Sequence, residues 1–214
     1  MEETLGTYKI VLVGDGKTGK TTFVNKLISK DEIIMFRGKG DQGKSPLHKE
    51  SAHFGIYSDL QKKYGYQPTL GVEVHPIRIL TNHGMIIFNL WDVAGQEDLG
   101  GLRDGYYINA KGALIFFSYD DSDSFENMWK WERDLYRVSD TISYVAVGNK
   151  SERKTTLSNT NKVHVDAKTC EIEINEHETA KVVDISCSTG FNIKEPLLVL
   201  ARILSGMDDL IFIE

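Results

Sequence analysis

The sequence predicts an α/β fold, a six-stranded and mostly parallel sheet with helices on both faces. Three observations carry this. Six short apolar runs, mostly unbroken Val, Ile, Leu and Phe, have the composition of strands buried on both faces. Segments with apolar residues every three or four positions lie between several of them, as crossover helices should. A glycine-rich turn joins the first run directly to the first helical segment.

In chain order, Ile10–Val13 is the first strand. The turn Gly14-Asp15-Gly16-Lys17-Thr18-Gly19-Lys20-Thr21 follows, and the helix continues through Thr22 to Ile28. From Asp31 to about Lys63 the rhythm breaks; Arg37–Pro46 is rich in Gly and Lys and reads as a surface insertion. Ile77–Leu80 and Met85–Trp91 are joined by Thr81-Asn82-His83-Gly84, the short connection of an antiparallel hairpin. Ala113–Tyr119 is the next strand. A helix is predicted after it from Phe125, Met128, Trp131, Leu135 and Val138, with Asp123 and Glu126 as its capping box. At that spacing Met128, Trp129 and Trp131 read as core rather than as an aromatic binding stripe. Ile142–Val147 and Lys181–Ile185 complete the strands, with a second surface loop at 151–161 between them. The last helix starts at Asn192 and Glu195, tolerates Pro196 near its first turn, and presents Leu197, Leu200, Ala201 and Leu204 along one face.

Length and composition restrict the function. At 214 residues the chain is expected to form one domain, 1–214, carrying the two insertions. A formal net charge of −6 argues against direct nucleic-acid binding, which needs clustered Lys and Arg. No run of 18 apolar residues predicts a membrane span, and Met1-Glu2-Glu3-Thr4 has no signal-peptide character. The two cysteines, Cys170 and Cys187, fit a reducing compartment. The end Asp208–Glu214 has neither a prenylation cysteine nor a long acidic tail, so no membrane anchor is expected.

The chemistry concentrates in the first turn. G-x-x-x-x-G-K-T between a strand and a helix is a phosphate-binding loop, whose glycines let successive N–H groups face an anion beside the positive end of the helix. Lys20 is suited to the outer phosphates and the Thr21 hydroxyl to Mg²⁺. Met85–Trp91 runs into Asp92-Val93-Ala94-Gly95-Gln96-Glu97. There Asp92 is placed to hold Mg²⁺ through a water, Gly95 to offer an N–H to a terminal phosphate, and Gln96 to orient an attacking water. A bare glycine- and lysine-rich turn could be only a turn; the flanking strand and helix favour phosphate binding. The loop leaves open which nucleotide binds and whether transfer, hydrolysis or switching follows.

With these residues in view the chain resembles the small GTPases of the Ras superfamily, and within them the Ran subfamily. Three blocks carry the resemblance: Gly14–Val24, Thr69-Leu70-Gly71-Val72-Glu73-Val74-His75-Pro76, and Gly95-Gln96-Glu97 with Gly100-Gly101-Leu102-Arg103-Asp104-Gly105-Tyr106-Tyr107-Ile108. Trp131-Glu132-Arg133-Asp134-Leu135 and Leu200-Ala201-Arg202-Ile203-Leu204 extend it over roughly residues 8–204. The resemblance implies a G domain that binds GTP or GDP with Mg²⁺ and hydrolyses GTP slowly, with Gln96 catalytic. Asp15, Gly16, Lys17, Thr18, Gly19, Lys20, Thr21 and Thr22 would hold the phosphates. Thr69, with Tyr66 just before it, and Gly95 would sense the γ-phosphate. Thr21, Thr69 and Asp92 would serve the metal. Asn149, Lys150, Glu152, Ser186, Cys187 and Ser188 would hold the base. It also implies a monomer shuttling between nucleus and cytoplasm, with an exchange factor, a GTPase-activating protein and transport receptors of Ran type as partners.

Several positions depart from that pattern. The base-reading motif normally ends in Asp, but here it is Asn149-Lys150-Ser151-Glu152, and Ser-Ala-Lys is replaced by Ser186-Cys187-Ser188. One displaced charge-assisted bond costs about 1.5–3 kcal/mol, roughly one to two powers of ten in affinity. Lys17 stands where Ran-like loops have glycine, and Asp98-Leu99 where they have Lys-Phe. The region Glu171–Glu178 is acidic where they are basic, and Lys62 stands where an aromatic stacks on the base, leaving Tyr64, Tyr57 or Phe54 as substitutes. These departures keep two further readings open beside the switch: a G-domain binding module that mimics Ran with little hydrolysis, and a phosphate-loop kinase or ATPase with relaxed base choice.

Overall fold

The structure is a computed structural model describing residues 3–28, 72–93, 102–153, 165–166, 171–175 and 178–213. Unbroken apolar runs form strands here because both faces of the sheet are covered. In β1 (Thr4–Gly14), Ile10 and Leu12 pack into one core and Val11 and Val13 into the other. The same alternation divides β4 (Gly112–Ser118), with Leu114 and Phe116 on one side and Ala113, Ile115 and Phe117 on the other.

All six predicted strands form. β2 (Val72–Thr81) and β3 (Gly84–Val93) make the antiparallel hairpin, and β5 (Ser143–Asn149) follows β4 in parallel. Two short strands that the sequence reading lacked, β6 (Val165–Asp166) and β7 (Glu171–Asn175), pair antiparallel and extend the edge of β8 (Glu178–Asp184). The six predicted strands form the expected mostly parallel sheet, β2-β3-β1-β4-β5-β8, and β7 and β6 extend its edge, giving the order β2-β3-β1-β4-β5-β8-β7-β6. The central ladder β3-β1-β4-β5-β8 is parallel throughout. The order reverses at β1, which lies between β3 and β4, and such a reversal opens a crevice at the carboxyl ends of the strands.

α1 (Lys20–Ile28) buries Phe23, Val24 and Leu27 on the same face as Leu197, Leu200 and Ala201 of the last helix. The opposite face is covered by α2 (Leu102–Tyr107), α3 (Ser122–Glu126) and α4 (Met128–Val138) through Tyr107, Phe125, Met128, Trp131 and Leu135. The single helix predicted after β4 is thus two, separated at Asn127. Its cap is also different from the one expected. Asp121, not Asp123, lies in extended backbone and accepts from the amides of Asp123 (3.2 Å) and Ser124 (3.3 Å). Ser124, the third residue of the turn, donates its hydroxyl to the Asp121 carbonyl at 2.7 Å and occupies the place a box glutamate would take. Asp121→Ala should lower stability by about 1 kcal/mol in urea melts, whereas Asp123→Ala should change it little.

The last helix, α5 (Glu195–Ser205), begins after Lys194, with Pro196 in its first turn as expected. Asn192 is not its cap; its side chain donates to the Asp184 carbonyl at 3.3 Å. Gly206 ends the helix in the left-handed conformation. The following segment buries Leu210 and pairs with the hairpin, Phe212 bridging Thr81 and the Ile213 amide donating to Leu80. Of the second predicted loop, Ser151–Arg153 forms a 3₁₀ turn; residues 154–161 and the 31–63 insertion lie outside the described residues.

Candidate functional site

The loop after β1 is held closed by its own side chains. Lys20, almost fully buried, donates from Nζ to the carbonyls of Gly14 (2.7 Å) and Asp15 (2.8 Å). That anchors the ammonium across the centre of the loop. Thr18 donates its hydroxyl to the Asp15 carbonyl at 2.9 Å. Two glycines are required by geometry. Gly14 has φ 132° and a Cβ there would fall 2.2 Å from the Phe116 carbonyl oxygen. Gly19 has φ 99° and a Cβ there would fall 2.2 Å from the Asn149 amide nitrogen. Lys17 takes a left-handed φ of 65° without being glycine.

Beside the loop, the Thr21 hydroxyl donates to Asp92 Oδ2 at 2.6 Å. Asp92 is wholly buried, and its Oδ1 has no hydrogen-bond partner among the described residues. Burial raises its pKa; the Thr21 hydrogen bond and the charge of Lys20 work in the other direction. A buried carboxylate oxygen left open next to a hydroxyl is a hard oxygen donor pair, suited to Mg²⁺ completed by phosphate oxygens. Thr21 and Asp92 therefore fit the metal.

At the far end of the crevice Asn149, the last residue of β5, ties three segments together. Its Nδ2 donates to the Thr18 carbonyl (2.8 Å), and its Oδ1 accepts from the amides of Lys150 (2.8 Å) and Cys187 (3.1 Å). The turn after β5 and the loop after β8 are thereby registered against the loop after β1. Lys150 sits at φ 60° and places Nζ 2.8 Å from Asp120 Oδ1. Arg153 reaches the other oxygen of Asp120 at 2.9 Å. Burial works to raise the Asp120 pKa, but hydrogen bonds from Lys150 and Ser118 and the nearby cations outweigh it and hold it low. Glu152 receives the Ser188 hydroxyl at 2.8 Å. Its carboxyl is held below the usual range by hydrogen bonds, chiefly from Ser186, then its own backbone and Ser188.

Hydrogen bonds thus join the loop after β1 to Asp92 through Thr21 and to Asn149 through Thr18, Asn149 to Lys150 and Cys187, and Ser188 to Ser186 and Glu152, while Asp15, Gly16, Lys17, Gly19, Lys20 and Thr22 belong to the same loop and the start of α1. Tyr66, Thr69, Gly95 and Gln96, together with Lys62, Asp98 and Leu99, lie outside the described residues. The sequence reading missed Asp120, which orients Lys150, and gave Trp131 only a packing role. Trp131 Nε1 and Asn127 Nδ2 each donate to the Asp15 carboxylate at 2.7 Å. A buried indole N–H usually finds a partner, and that was the available signal.

A mostly parallel sheet with a phosphate loop after its first strand, a metal-suited carboxylate on the neighbouring strand and an asparagine at the end of β5 bonded to the loop define a phosphate-loop nucleotide-binding protein. The chain matches the Ras family over residues 33–205 and belongs to that family of small GTPases, switches that bind GTP and GDP with Mg²⁺. The matched stretch begins downstream of Gly14–Thr21, so the phosphate loop supports the same conclusion from its own motif and geometry.

Proposed function

We propose that this chain is a Mg²⁺-dependent GTP/GDP switch of Ran type with slow hydrolysis, acting in transport between nucleus and cytoplasm. One observation carries the switch: Lys20, Thr21 and Asp92 are assembled around the loop, and Asn149 fastens the base-side loop to the same peptide. Bound Mg²⁺ would supply neutralising charge to the phosphate oxygens. Lys20 would hold the outer phosphates, Asp92 and Thr21 would orient the metal, and Gln96 would position the attacking water. Thr69 and Gly95 would convert the γ-phosphate into two ordered switches released on hydrolysis. The Ran assignment, with its transport receptors, exchange factor and activating protein, is supported by the blocks Thr69–Pro76 and Gly100–Ile108. Val74 and Ile108 within those blocks are exposed apolar side chains on described elements.

Guanine nucleotide should co-purify with the chain and appear on chromatography after denaturation; ATP, or no nucleotide, overturns the assignment. In single-turnover hydrolysis, Gln96→Leu should lower the rate at least tenfold, the scale of a lost general positioning contribution. Equal rates would remove Gln96 from the chemistry. A second reading, a binding module with little hydrolysis, is favoured by the Glu152 carboxylate being already engaged by the Ser188 hydroxyl, which is itself bonded to Ser186. It predicts partner capture that does not distinguish GDP from a GTP analogue. The family match favours either reading over a kinase or ATPase.

A further inference from the structure

We infer that Asn127 and Trp131 are positioning residues that clamp the Asp15 carboxylate and so keep the phosphate loop in its anion-binding form. The inference rests on the nucleotide-binding reading above. Asp15 is the second residue of the loop, and a carboxylate there places negative charge next to the site meant for phosphates. In the structure it faces Asn127 and Trp131, at the junction of α3 and α4 and on α4. Asn127 Nδ2 donates to Oδ2 and Trp131 Nε1 to Oδ1, both at 2.7 Å, so each oxygen has its own donor.

Both donors are themselves held in place. Asn127 is the joint between α3 and α4. Its amide donates to the Asp123 carbonyl at 2.8 Å, and its carbonyl accepts from Lys130 at 2.9 Å. Trp131 is 3% exposed and packed in the core that includes Met128 and Leu135. A rigid ring in a close-packed core carries its N–H at a defined point.

The same residue's carbonyl receives Lys20 Nζ at 2.8 Å and the Thr18 hydroxyl at 2.9 Å. A chain of contacts therefore runs from α4 through the Asp15 side chain to the Asp15 peptide, and from there to the lysine. Freed from its two donors, the carboxylate could rotate toward the mouth of the loop. It would then repel phosphate and compete for Lys20. The clamp keeps the charge satisfied and directed away, and it sets the peptide that holds the ammonium.

The test uses the full chain loaded with a fluorescent guanine nucleotide in Mg²⁺, reading the release rate. Asn127 is only partly buried, so Asn127→Ala is the cleaner variant; Trp131→Phe, which keeps most of the ring and deletes the N–H, is the second. Each should speed release about tenfold, the fold-change of one charge-assisted hydrogen bond. In an Asp15→Ala background neither substitution should add to the effect, because the carboxylate through which they act is gone. A purely structural role would act equally with or without that carboxylate, so full additivity overturns the clamp. An unchanged release rate in both variants, with wild type retaining nucleotide normally, overturns it as well and leaves the nucleotide reading standing. A wild type that holds no guanine nucleotide overturns the nucleotide reading, and the clamp with it.

Discussion

Gly19→Ala should fold and yet lose about two to three powers of ten in nucleotide affinity, the largest effect expected of so small a substitution. Two costs combine. Gly19 sits at φ 99°, where an L side chain is strained by about 1–2 kcal/mol. The new methyl would also fall 2.2 Å from Asn149 Nδ2, so the amide must move. That amide donates to the Thr18 carbonyl at 2.8 Å, and its oxygen accepts from Lys150 and Cys187. Each broken bond costs about 1 kcal/mol, more where a buried group is left unsatisfied. Loss of the Asn149 bridge uncouples the phosphate end of the crevice from the base end, so affinity falls further than stability. Calorimetric titration with GDP checks the affinity, and a urea melt of the nucleotide-free chain checks the fold. An affinity within threefold of wild type would show that Asn149 does not transmit the register.

Asp92→Asn should separate folding from metal use in the opposite sense. The carboxylate is wholly buried with its pKa raised chiefly by desolvation, so the nucleotide-free fold carries a charge that burial disfavours. An isosteric amide removes that charge and keeps an oxygen to accept the Thr21 hydroxyl, now 2.6 Å from Oδ2. The nucleotide-free variant should therefore be as stable as wild type at pH 7, or more stable by about 1 kcal/mol. With nucleotide bound the order reverses, because the negative donor for Mg²⁺ is gone. Chelation of Mg²⁺ should speed release strongly in wild type and by less than twofold in Asp92→Asn. Equal acceleration in the two proteins would remove Asp92 from the metal site.

Much of the fold was legible because burial on both faces leaves a strong mark on composition. Ile10–Val13, Ala113–Tyr119 and Ile142–Val147 could not be solvent-facing, and each lies in the parallel centre of the sheet. Less was legible where strands face water. Thr4–Lys9 is half exposed and carries no unbroken apolar run, although it pairs with β3 from Met85 onward. Glu171–Asn175 alternates charged and apolar residues over only five positions, too short a run to stand out as a strand; β8 supplies the pairing. The helix cap was misplaced because Asp121 and Asp123 are equivalent by local chemistry. The Ser118–Ser124 contact at 3.0 Å, which fixes where the chain leaves β4, favours Asp121.

The sequence by itself determined the phosphate loop, the parallel α/β sheet and the family, because each depends on residues adjacent in the chain or on a periodicity within one element. The tertiary structure alone decided how that loop is held. Asp15 meets Asn127 and Trp131 across 112 and 116 residues, Thr21 meets Asp92 across 71, and Thr18 meets Asn149 across 131. Such pairings follow from the order of strands in the sheet, which brings the ends of β1, β3 and β5 to one crevice. A hydrogen bond spanning so much chain has no local signature, since its geometry is set by packing and not by the residues that flank it.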